Sequence, residues 1–145
     1  MLRQAIWLGS GLVAVSGGTG DPLSRSNQPY GVKLLDTNDW SMCVLDGHAN
    51  NVALTDGVLL AWGGAKFAPS GGVGLLGWRL RDGSVWHLFG RQYLGAQPHG
   101  GYVYAINSWN GWHVSTVDVS DAKVVATLDH RPPTVLPDGS FWQGS

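Results

Sequence analysis

The chain has 145 residues and a formal net charge of −1, with 22 glycines, 7 prolines, 8 tryptophans and no glutamate among its ten acids. That length fits one domain with a core, while abundant glycine and missing glutamate argue against a helical bundle or coiled coil. Near-neutral charge without a basic run argues against nucleic acid as the main partner, and no apolar run reaches the roughly 18 residues of a membrane span.

The first residues combine a short cationic head, Met1-Leu2-Arg3-Gln4, with an apolar stretch from Ala5 to Val15, the outline of a secretory leader. Gly9, Ser10 and Gly11 interrupt that stretch, and the pattern that follows gives Leu12–Ser16 a structural place. The compartment, cytoplasmic or extracellular, stays open. Ala5–Leu8 reads as a lone strand preceding a first unit, 11–54.

Within that unit Gly11–Val15, Val32–Asp36, Ser41–Leu45 and Asn51–Leu54 are short apolar runs bounded by Gly, Asp or Asn, which is strand chemistry. A second unit, 57–94, offers Val58–Trp62, Val73–Gly77, Ser84–Leu88 and Arg91–Leu94. A third, 101–136, offers Tyr102–Ile106, Val114–Asp118, Val124–Leu128 and Thr134–Leu136. Aligning Ala14, Ala61 and Ala105 gives spacings of 47 and 44; Val32, Val73 and Val114 are 41 apart. Asp36–Asp39, Arg81-Asp82-Gly83 and Asp118–Asp121 are polar turns inside the units; Thr55-Asp56-Gly57, Gly100-Gly101 and Pro137-Asp138-Gly139 lead into the next. Residues 140–142, Ser-Phe-Trp, open a further strand.

Four short strands repeating at this period predict an all-β, propeller-type fold over 1–145: about three four-stranded antiparallel blades in an incomplete ring. The third unit, from Tyr102-Val103-Tyr104 through Val114-Ser115-Thr116-Val117-Asp118 to Lys123-Val124-Val125-Ala126-Thr127-Leu128, resembles the YVTN type of β-propeller repeat. It departs from that family at Ser108-Trp109-Asn110-Gly111-Trp112, where two tryptophans replace a small polar loop. The resemblance implies a fold and no activity. An incomplete ring leaves edges and apolar faces to be covered, by further copies in a homo-oligomer or by the missing blades of a longer chain.

Candidate chemistry is sparse. Cys43, the lone cysteine, sits in an apolar run and is expected to be a buried thiol. None of the five histidines has a metal-ligand spacing, and no cofactor is expected. Asp46, His48, Asn50 and Asn51 read as a connecting turn, and Asp36-x-Asn38-Asp39 as a hairpin turn lacking the Gly and Glu of a calcium loop. Asp82-Gly83-Ser84-Val85-Trp86 and Asp138-Gly139-Ser140-Phe141-Trp142 resemble the Asp-box of sialidase-type propellers, but Gly follows Asp directly. Trp40, Trp62, Trp78 and Trp86 are expected in the blade core.

Trp109 and Trp112, with Asn107 and Asn110, stand in a polar loop where flat rings beside amides suit a sugar or a protein pocket. The pattern therefore predicts a non-enzymatic binding module, carbohydrate-directed through that loop, with a glycan or protein as ligand. Two alternatives stand beside it: a structural assembly protein, such as a virion or surface component, and a fragment of a longer propeller enzyme.

Overall fold

The structure is a computed structural model and describes residues 2–18, 29–64, 71–107, 113–128, 134–135 and 141–142. These residues form strands and turns, with no helix among them. The first sheet runs β1 (Leu2–Gly9), β2 (Leu12–Gly18), β3 (Pro29–Asp36) and β4 (Ser41–Asp46). The second runs β5 (Asn51–Thr55), β6 (Val58–Gly64), β7 (Gly72–Arg79) and β8 (Val85–Leu88). The third runs β9 (Gly95–His99), β10 (Tyr102–Asn107), β11 (His113–Asp118) and β12 (Lys123–Leu128). A short hairpin, β13 (Thr134–Val135) with β14 (Phe141–Trp142), follows. Each sheet is an antiparallel meander of consecutive strands, and the three do not close into a ring.

The first two strands of every four-stranded sheet are joined by two residues: Ser10-Gly11, Asp56-Gly57 and Gly100-Gly101. Ser10 and Gly11 have φ of 53° and 83°, and Asp56 and Gly57 of 50° and 72°. Two successive positive φ values make the turn whose twist matches antiparallel strands. Such a turn binds the strand before it to the strand after it. The sequence units 11–54, 57–94 and 101–136 are therefore phased one strand late. The run at 5–8 lies in β1 and opens the first sheet, and Asn51–Leu54 lies in β5 and opens the second. Arg91–Leu94 forms no strand; it precedes β9.

The same turns correct the alanine alignment. Counting from Gly11, Gly57 and Gly101 brings Val15, not Ala14, level with Ala61 and Ala105. A slip of one residue moves a side chain to the other face. Accordingly Ala14 faces the sheet that follows its own, whereas Ala61 and Ala105 face the sheet that precedes theirs. The third strands are anchored to those turns: the N–H groups of Thr37, Leu80 and Val119 donate to the carbonyls of Gly11, Gly57 and Gly101 at 2.8, 3.0 and 3.0 Å. From those anchors Val32, Leu75 and Val114 come level, and all three are buried.

The turns between third and fourth strands also match. Asp36 Oδ1 accepts from the Asn38 N–H, Asp39 Oδ1 from Ser41 and Asp82 Oδ1 from Ser84, each at 2.9 Å; Asp118 Oδ1 accepts from Ser120 at 3.0 Å. Trp40, Gly83 and Ala122 close these turns at φ 62°, 73° and 55°. Trp40 is thus 72% exposed instead of lying in the core, because its place in the turn points away from the sheet stack.

The sheets stack face to face. Val58, Leu60, Trp62, Leu75 and Trp86 of the second sheet pack against Val103, Ala105, Val117 and Val119 of the third, with Leu94 from the connection between them. Leu59 and Ala61 turn the other way and pack, with Val52 and Ala49, against Ala14 and Val32 of the first sheet. Every residue of β6 is buried, so this strand satisfies two interfaces. Burying one Leu side chain contributes about 1.5–3 kcal/mol. The indole of Trp86 lies across β7 at Gly77, where a Cβ would overlap it. Trp78 is half-buried beside the first interface.

Among the described residues, the first sheet is covered by another sheet on one face only. On the other, register places Trp7, Val13, Leu35 and Met42 in one cross-strand row and Ala5, Val15, Lys33 and Val44 in the next. Trp7, Met42 and Val44 are 62%, 60% and 61% exposed. Cys43 is exposed too, contrary to the buried thiol expected, because β4 is the outer edge strand and nothing packs over it. The third sheet differs: Tyr104 and Val114 face away from the second sheet and are nevertheless buried.

Candidate functional site

A meander places its short turns at one end and its longer connections at the other. The end with the longer connections holds the sheet-to-sheet passages 46–51 and 88–95 and the β10–β11 connection. It also holds Asn107, the one candidate ligand-binding residue among the described residues. Asn107 is the last residue of β10 and pairs with His113 at the start of β11. Trp109, Asn110 and Trp112 lie between those two positions and outside the described residues.

Asn107 is fixed by more than its strand. Its Nδ2 donates to Gln92 Oε1 at 2.7 Å. Gln92 in turn lies against β7: its carbonyl accepts the Gly74 N–H at 2.9 Å, and its N–H donates to the Phe89 carbonyl at 3.2 Å. Gly72 permits the approach, since a Cβ there would overlap the backbone of Gln92 and Tyr93. His87 secures the same corner, with Nε2 at 2.8 Å from both the Val73 and Gly90 carbonyls. The base of the β10–β11 connection is thereby tied to the second sheet as well as the third.

The first passage is built from backbone and amides. Asp46 Oδ2 accepts from the N–H groups of His48 at 2.9 Å and Ala49 at 2.6 Å, which is the connecting turn expected from its polar residues. Asn50 is buried; its Nδ2 donates to the Gly64 carbonyl and its Oδ1 accepts from the Gly64 N–H, both at 3.2 Å. Asn51 Nδ2 donates to the same Oδ1 at 2.8 Å. Gly63, at φ 102°, leaves the room that Asn50 fills. On the first sheet Gln4 Oε1 accepts from the Val52 N–H at 2.8 Å and from the Ser16 hydroxyl at 3.3 Å.

Sequence reading passed over Gln4 and Gln92. An amide that bridges two sheets has no partner at a fixed spacing, so nothing local marks it. Electrostatics add little to the site. The Ser41 hydroxyl, then the Ser41 N–H, holds the Asp39 carboxyl below its usual value; the hydroxyl and N–H of Ser84 do the same for Asp82. Both carboxylates are exposed turn residues at the opposite end. Among the described residues no three His, Cys, Asp or Glu side chains converge as a metal group would require. What the loop end holds is a set of amides hydrogen-bonded to one another and to neighbouring backbone.

No protein-family model matches the chain, and no curated protein matches it significantly. Solved structures do. The computationally designed Ika8 protein superposes on 90% of the chain with a TM-score of 0.57 at 14% identity. Acylaminoacyl peptidase from Pyrococcus horikoshii superposes on 88% with a TM-score of 0.55 at 10% identity. The chain spans 37% of the first and 24% of the second. Likeness at such identities is one of fold.

Proposed function

We propose that the chain is a non-enzymatic, propeller-type stack of blades that acts by binding, and that the open face of its first sheet is where further sheets assemble. The observation that carries this reading is the pair of rows led by Trp7 and Ala5, apolar but for Lys33, on a face over which no sheet lies among the described residues. Among the described residues both faces of the second sheet and the inner faces of the first and third are buried against a neighbouring sheet, whereas these rows are not. The face-to-face stacking of three four-stranded antiparallel sheets supports the propeller reading. The covering sheets come from other copies or from a longer chain. Gel filtration with light scattering separates these: assembly between copies gives a mass above the monomer, which Trp7→Ser with Met42→Ser returns to the monomer. A wild-type monomer at high concentration overturns assembly between copies.

A second reading is favoured by the Asn107–Gln92 bond, which anchors the base of the tryptophan-bearing connection. Here Asn107, Trp109, Asn110 and Trp112 take a glycan, the rings stacking on sugar faces and the amides meeting hydroxyls. Trp109→Ala with Trp112→Ala abolishes glycan-array binding on this reading. Unchanged binding, or no binding by the wild type, rejects it.

A further inference from the structure

We infer that the first sheet is a separately opening unit, which leaves the second sheet as one body while the second and third stay packed. Opening bares the face of the second sheet formed by Leu59, Ala61, Leu76 and Trp78.

Four observations carry this. The buried centre of the first interface is small: three of its six buried members are alanines, Ala14, Ala49 and Ala61, and the larger Ile6, Leu8, Leu45, Leu76 and Trp78 around it are only partly buried. The second interface holds ten buried residues, including Trp62, Trp86, Leu60 and Leu75. Apolar stabilisation scales with buried area, so the first contact is the weaker. Polar cross-links follow the same order. Gln4 reaches the Val52 N–H across the first interface. Across the second, the Thr55 hydroxyl donates to the Gly100 carbonyl, and Arg79 Nε and Nη2 both donate to the Ser120 carbonyl.

Exposure adds a third reason. Among the described residues the first sheet is packed on one face only, so in the monomer none of them forms a second interface to oppose its departure. Connectivity adds the fourth. All four of its strands are consecutive, and their ladders bond only to each other. A single passage leads to β5, and its Gly47 and His48 are exposed, whereas Ala49 and Asn50 beyond them are buried against the second sheet. Rotation at 47–48 moves the sheet without disturbing a ladder. Cooperative units of this kind open below the global unfolding free energy.

Residue-resolved hydrogen exchange on the full chain, across low guanidinium concentrations, tests the inference. The amides of β2 and β3 are expected to exchange through an opening at least tenfold more frequent than the one that exposes β6, β7, β10 and β11. That opening also has a smaller denaturant dependence. Gln4→Ala is expected to quicken exchange severalfold in the first sheet alone. A single protection class across all three sheets overturns the inference, and so does any other response to Gln4→Ala. Exchange is read on the Trp7→Ser, Met42→Ser variant at a concentration where gel filtration gives the monomer, so that assembly between copies adds no protection to the first sheet.

Discussion

β2 and β6 occupy the same place in their sheets, each following a two-residue turn and pairing on both sides, yet they meet opposite surroundings. β6 is buried along its whole length because a sheet lies over each face. β2 buries Ala14 and Ser16 toward the second sheet but leaves Val13 and Val15 only half-covered. The difference is written in composition. Val-Leu-Leu-Ala-Trp in β6 is continuous because both faces need apolar groups, as in any strand enclosed between layers. Leu-Val-Ala-Val-Ser in β2 carries smaller groups and a hydroxyl on the face it buries. A strand's hydrophobic continuity therefore reports how many neighbours its sheet has.

Mutations can sharpen that contrast. Leu60→Ala should have the largest effect, about 3–4 kcal/mol by chemical denaturation, since Leu60 is fully buried in the larger interface. Val13→Ala, on the open side of β2, should cost below about 1 kcal/mol; equal losses for the two would erase the distinction between central and terminal sheets. Gly77→Ala should cost about 2 kcal/mol, because the new methyl displaces the Trp86 indole from its bed on β7. Near-ultraviolet circular dichroism should report the displaced ring.

Trp86→Phe should be milder, about 1 kcal/mol by thermal denaturation. The buried Trp86 Nε1 has no hydrogen-bond partner, so the substitution removes volume but no bond. The smallest effect belongs to the exposed turns. Ser84 hydrogen bonds lower the Asp82 carboxyl below its free value in the folded state. Its contribution is complete above the unfolded carboxylate value of about 3.9 and is lost as pH falls through the lower folded value. Asp82→Asn should therefore be slightly less stable than wild type at neutral pH and indistinguishable from it in strong acid. A difference that grows with acidification would contradict this sign.

Much of the fold was legible in the sequence. The runs that became β6, β10 and β11 combine β-branched and aromatic residues between turn formers, and the Asp-Gly turns announced hairpins. Phase was harder, because apolar runs show where strands are and not which sheet owns them. That information sits in the two-residue turns Ser10-Gly11, Asp56-Gly57 and Gly100-Gly101, each of which joins the first and second strands of one sheet; the other connections have four residues or more whether they lie within a sheet or between sheets. The alanine alignment matched residue type and so missed a one-residue slip that only the turn glycines reveal. Cys43 and Trp40 share one cause: an apolar neighbour in sequence says nothing about a neighbour in space at an edge strand or a turn. At the loop end, Asn107 stood out by its company of amides and rings, whereas its hydrogen-bond partner Gln92 was invisible because the two lie far apart in sequence.

Each sheet is made of consecutive strands, and this has a consequence for synthesis. Contacts within a sheet are close in sequence, so the first sheet can form as soon as its last strand emerges from the ribosome. About 40 residues separate its completion from that of the second sheet, roughly 2–8 s at ~5–20 residues per second. For that interval Ala14, Val32 and their neighbours face water on a nascent chain. Small side chains on that surface keep the waiting sheet less adhesive than the tryptophan-bearing face that follows it.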